Sequence, residues 1–90
     1  MYIGAKAVEP LAGYKLLITF ENDEKRVFDV TPYLQRGIFA ELKDTAVFSS
    51  VRISFDTVEW RNGADICPET LYEDSLPVEE SQEATMTAAV

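Results

Sequence analysis

The stretch YKLLITFENDEKRVFDV, Tyr14 to Val30, decides the fold. In its first half Tyr14, Leu16, Ile18 and Phe20 alternate with Lys15, Thr19 and Glu21. An extended chain sends successive side chains to opposite faces, so this pattern predicts a strand with one buried side. Asn22 and Asp23 tolerate positive φ and can close a hairpin into a second strand over Lys25 to Val30. An antiparallel pair of this kind needs a further layer to cover its apolar face.

Working outward, Ile3 to Pro10 predicts a weaker strand that ends at its proline, with Ala12-Gly13 as a turn into Tyr14. Downstream, Thr31-Pro32 predicts a helix start, the threonine capping and the proline at the first helical position, with Gly37 as its stop. Ile38 to Lys43 adds another helical turn, and Asp44 can cap a third around Ala46 to Phe48. Val51, Ile53 and Phe55 then alternate as a strand, Asp56-Thr57 turns, and Val58 and Trp60 alternate as the next. Asn62-Gly63 predicts a type I′ hairpin into Ala64 to Ile66, because that turn needs positive φ at both central residues. Pro68 starts a closing helical turn through Leu71 and Tyr72, with Cys67 at the cap and Glu69 suited to the positive helix end.

These elements predict an α+β fold, a small antiparallel sheet of hairpins with one short irregular helical layer packed on it. Residues 1–75 form the single domain. The remainder, LPVEESQEATMTAAV at 76–90, lacks aromatics and any periodic apolar face, and predicts a mobile acidic tail.

Composition narrows the classes. Ninety residues with 47% apolar content and 11% aromatics can build one core without a metal or disulfide staple. The single cysteine cannot form an internal bridge, no signal-peptide pattern stands at the start, and the longest apolar runs are far too short to span a bilayer. A cytoplasmic protein with no membrane partner is the expectation. All eight Lys and Arg lie in residues 1–68 beside ten of the sixteen acids, a balance of −2, whereas residues 69–90 hold six acids and no base. Binding to a phosphate backbone needs clustered cations, so direct nucleic-acid binding is not expected. A small basic protein partner fits the acidic end; solubility alone is the plainer account of the same charges.

Chemistry is sparse. With no histidine, imidazole catalysis, His-containing zinc sites and Ser-His or Cys-His pairs are excluded. The isolated glycines at 4, 13, 37 and 63 build no phosphate loop. Cys67 could gain reactivity from a helix N-terminus or simply fill a cap position. Asp56, Glu59, Asp65 and Glu69 bracket one hairpin and could support hydrolysis or form a solvated rim. Trp60 could anchor an interface or belong to the core. No catalytic residue, cofactor site or metal site is assigned.

In order, LLITFENDEKRVFDVTPYL, GIFAELKDTAVFSSVRIS and VEWRNGADICPETLYE carry Phe20, Phe28-Asp29, Gly37, Phe39, Leu42, Asp44, Phe48, Trp60, Gly63, Asp65, Glu69, Leu71 and Tyr72. On these positions, residues 5 to about 74 resemble the small bacterial domain-of-unknown-function family 2442. The chain departs from the pattern at Asp23, where glycine is usual, and at Arg61, where proline is usual. The resemblance implies a small α+β fold and no assigned activity. Some relatives continue into a helix-turn-helix DNA-binding domain; others are stand-alone and stand beside a second small protein in what looks like a toxin and antitoxin arrangement. This chain is expected to be of the stand-alone kind.

The leading expectation is therefore a non-catalytic protein-interaction module, an antitoxin-like partner of a small basic protein, using an exposed strand edge or hairpin face. Its candidate interaction residues are Trp60, Arg61, Asp65, Glu69, Tyr72, Glu73 and Asp74. A homodimer through a sheet edge is a further option. The alternatives are a small-ligand sensor or transcription-regulatory accessory domain, and then a carboxylate or cysteine enzyme. Ala88, Ala89 and Val90 form a candidate degradation tag.

Overall fold

A computed structural model describes residues 3–78. Among them the order is β1 (Ala5–Leu11), β2 (Lys15–Phe20), β3 (Lys25–Asp29), two 3₁₀ segments (Thr31–Tyr33 and Gly37–Lys43), α1 (Thr45–Phe48), β4 (Arg52–Ser54), β5 (Thr57–Glu59), α2 (Pro68–Glu73) and β6 (Leu76–Pro77). The strands make a four-stranded antiparallel sheet, β1-β2-β3-β6, and a separate two-stranded one, β4-β5. The fold is the small α+β arrangement that the hairpin and the short helical signals predict. Leu76 and Pro77 were expected in the tail, yet they pair with Val27 and Arg26 and close the sheet on that side.

Leu16, Ile18 and Phe20 are buried on one face of β2, and the register sets Leu16 beside Phe28. Val30, Leu34, Leu42, Phe48, Val58, Trp60, Ala64, Ile66 and Leu71 complete one continuous core against that face. Rings from Phe28 through Tyr33, Phe39, Trp60 and Phe48 to Tyr14 stand in sequence with centroids 5.3 to 6.3 Å apart. Such spacings suit tilted and edge-on aromatic contacts, which tie the helical layer to both hairpins.

Several local expectations need correction. The turn at Asn62-Gly63 is not type I′. Gly63 has φ +91°, whereas Asn62 is not among the described residues with positive φ. Gly63 N donates to Trp60 O at 2.9 Å and Trp60 N to Ala64 O at 2.8 Å, the bonding of a three-residue loop. The β2–β3 hairpin repeats it: Asp23 N donates to Phe20 O, Phe20 N to Glu24 O, and Asp23 carries φ +68°. In each loop an asparagine Oδ1 accepts from the backbone N–H two residues on, at 3.1 Å (Glu24 to Asn22, Ala64 to Asn62). Asparagine is therefore chosen for its side chain, and only the following residue needs left-handed backbone.

Thr31 does not cap a helix either. Its N–H donates to Asp29 Oδ1 at 2.9 Å, and the first 3₁₀ segment ends at Tyr33, before Gly37, which opens the second. Asp44 does cap α1, accepting from Ala46 N at 2.9 Å. Tyr14 has φ +61° and precedes β2; its hydroxyl donates to Lys43 O. The strand expected through Phe55 stops at Ser54, and the β4–β5 turn falls on Phe55-Asp56 rather than Asp56-Thr57. Phe55 is 97% exposed.

Candidate functional site

Pro68 fixes the first turn of α2 and Glu69 sits in it, favourable at the positive helix end. Leu71 is driven into the core, which turns Glu69 and Glu73, four residues apart, together towards solvent. Asp74 caps the helix and is exposed, as is Asp65 two residues ahead of Cys67. Among the described residues, none of the three ion pairs involves Asp65, Glu69, Glu73 or Asp74. Glu73 and Asp74 also stand at the negative end of α2, with no basic residue in its last turn, where the helix dipole opposes them. Folding gives Asp65, Glu73 and Asp74 little return.

The other candidates divide. Arg61 is exposed on the loop after β5, its N–H donating to Ser50 Oγ at 3.1 Å. Trp60 is core: it is 1% exposed and its Nε1 donates to Phe48 O at 2.9 Å. A partner cannot reach it. Tyr72 is half-buried and turned away from the acidic face, its ring edge-on to Phe20 at 4.9 Å. Cys67 is exposed at the helix cap position and makes no side-chain capping bond. Ala88, Ala89 and Val90 lie outside the described residues.

Under Tyr72 lies a cluster that sequence periodicity did not single out. Register places Arg26 beside Ile18 on the inner face of the sheet, at the rim of the core. Its guanidinium lies 4.5 Å from the Tyr72 ring centroid, donates to Ser75 Oγ and Ser75 O, both at 2.7 Å, and pairs with Glu24 at 3.3 Å. Tyr72 donates its hydroxyl to Glu24, which also accepts from Asn22 Nδ2. The signal for Arg26 was its parity with Phe28, two residues on and fully buried.

The Tyr72 hydroxyl, followed by Asn22, holds the Glu24 carboxyl below the usual carboxylate range; that carboxylate in turn raises the Tyr72 phenol above its ordinary value. The bond needs Glu24 charged and Tyr72 protonated. Because the folded Glu24 value is depressed, its contribution is complete above the ordinary value of about 4.3 and lost as pH falls through the lower folded one. Because the folded Tyr72 value is raised, its contribution is complete below about 10 and lost as pH climbs through the folded one. Tyr72→Phe should therefore flatten the stability profile at both ends while changing its slope little near neutrality. Denaturation midpoints across pH test this, and equal slopes in both proteins would refute the coupling.

Among the described residues, no group of three or more Asp, Glu, Cys or His could hold a metal ion, and no helix is long and apolar enough to cross a membrane. The Asp56 side chain lies over Gly4, and Glu59 pairs with Arg52 at 3.1 Å. The sheet edges are β1, which carries Pro10 and whose Ala5 N–H is taken by Asp56 O at 2.8 Å, and the two-residue β6. Comparison with curated proteins and with solved structures gives no match. A family model described as "Protein of unknown function (DUF2442)" matches residues 5–77, and the chain belongs to that family.

Proposed function

We infer that the domain is a non-catalytic protein-interaction module that docks a small basic protein, in the manner of an antitoxin, through the acidic face of α2. What supports this reading is the set Asp65, Glu69, Glu73 and Asp74, exposed, free of ion pairs among the described residues and partly opposed by the helix dipole. Charges outside any ion pair among the described residues serve well as a steering and docking surface, raising the encounter rate with a cationic partner and selecting against acidic ones. Arg61 and the core-buried Trp60 have no part in it.

The test is affinity purification of the tagged protein from its native host, with the triple reversal Asp65→Lys, Glu69→Lys, Glu73→Lys beside it. The expected companion is a small basic protein, released by raised salt and absent from the variant, whose own thermal midpoint stays near wild type. Capture indifferent to both salt and charge reversal would overturn the reading.

A further inference from the structure

An antiparallel sheet with one wet face ordinarily turns polar side chains outward. This sheet departs from that pattern along one line. Leu16 and Ile18 point into the core, so Leu17 between them points out, and the register sets Glu9, Leu17, Val27 and Leu76 side by side across β1, β2, β3 and β6. Three of these are apolar, and Leu11 joins them from its place beside Lys15. Leu76 is 54% exposed, and none of Leu11, Leu17, Val27 and Leu76 is in the core cluster or among the half-buried residues packed on it. The helical segments and the β4–β5 pair send Tyr33, Leu42, Phe48, Leu71 and Val58 into that core, on the opposite side of the sheet.

The charges around the row point to what covers it. Register aims Glu9, Lys15, Lys25 and Asp29 outward beside it, two acids and two bases on a chain of net charge −8. Such a balanced face offers no field to a strongly charged partner of either sign. Lys15 and Asp29 stand opposite each other on β2 and β3, two residues along from Leu17 and Val27, and none of the three ion pairs among the described residues uses either. A two-fold axis between β2 and β3, parallel to the strands, exchanges those strands between copies. It sets Leu17 over Val27 of the second copy and Lys15 over its Asp29, each contact made twice, with Glu9 facing Leu76 at the margins and no like charges opposed.

We propose that the outward face of the β1-β2-β3-β6 sheet packs on the same face of a second copy of this chain, burying Leu17, Val27 and Leu76 between two sheets about 10 Å apart. The strands are seven, six, five and two residues long, so the covered area stands at the low end for specific interfaces and the dimer is weak and reversible. The contact is face to face and closed. It uses neither a sheet edge nor the acidic residues of α2.

Sedimentation equilibrium from micromolar to millimolar protein tests this. Wild type should form dimers with rising concentration and nothing larger, because a two-fold contact closes on itself. Val27→Lys, at the centre of the row, should weaken dimerisation roughly tenfold or more. Lys15→Asp, on an exposed side chain that folding does not need, should weaken it about fivefold by setting like charges opposite each other, and adding Asp29→Lys should restore most of the loss. In methyl NMR spectra over the same concentrations, Leu17, Val27 and Leu76 should shift while Leu16 and Leu71 hold. A wild-type chain that stays monomeric throughout, assembly beyond the dimer, dimerisation indifferent to both Val27→Lys and Lys15→Asp, or shifts confined to the β1 edge would overturn the proposal. The basic-partner capture is read separately and is unaffected by any of these results.

Discussion

Trp60→Ala is expected to destabilise the domain by about 3–5 kcal/mol, the usual cost of emptying a buried aromatic site. Trp60 is among the largest side chains wholly inside, and it touches both Phe39 and Phe48, the rings that join the second 3₁₀ segment and α1 to the core. A domain of this size has only about 4–11 kcal/mol in hand, so the loss takes from roughly a quarter to all of its folding free energy. Trp60→Phe separates the two contributions. It keeps an aromatic ring in the site but removes the Nε1 donor to Phe48 O, which still accepts from Val51 N at 3.3 Å. Its cost should be smaller, about 1–2 kcal/mol. Urea denaturation followed by far-UV circular dichroism distinguishes these, and a Trp60→Ala midpoint close to wild type would mean the ring is not in the core.

The same residue shows how far sequence goes here. Alternation of Val58 with Trp60 was enough to suggest an inward side chain, as alternation from Leu16 to Phe20 was for β2, because a two-residue period is imposed by the backbone itself. Alternation misled at Phe55, which has the parity of Val51 and Ile53 but falls one residue past the end of a three-residue strand. Parity holds only while the chain stays extended, and nothing in the local composition marks where it ceases. Turn chemistry was legible in kind and not in detail: Asn62-Gly63 marked a hairpin, yet the loop takes three residues, and Asn62 also reaches Ile38 O and Glu41 through Nδ2. Those partners lie more than twenty residues away, beyond any short-range signal. The acidic face was legible for the opposite reason. Glu69 and Glu73 need only helical spacing and a buried Leu71 to face outward together, whereas Tyr72 is drawn inward by Arg26 and Glu24, contacts set by a strand register that no stretch near Tyr72 encodes.

That register makes Arg26 the second position at which a single change should be costly. Arg26→Ala is expected to destabilise the protein by about 2–3 kcal/mol, the range for hydrogen bonds to a charged group, with the stack on Tyr72 contributing roughly 0.5–1 kcal/mol within it. Its ion pair with Glu24 adds little, since the carboxylate is more than a third exposed and screened by solvent. The larger part comes from Ser75. That residue is 2% exposed; its hydroxyl keeps a bond to Tyr72 O at 2.7 Å, but its carbonyl loses the guanidinium that donates to it. Arg26→Lys should recover little, because an ammonium cannot serve Ser75 Oγ, Ser75 O and Glu24 from one planar fork while lying flat on the Tyr72 ring. The loss should also be local. β6 is two residues long, and Arg26 joins the chain just ahead of it to β3, so amide exchange should accelerate at Ser75, Leu76 and the last turn of α2 before it does in β1 and β2. Exchange that quickens uniformly across the sheet would show instead that Arg26 supports the whole core; unchanged exchange at Ser75 would show that the guanidinium does not hold this corner at all.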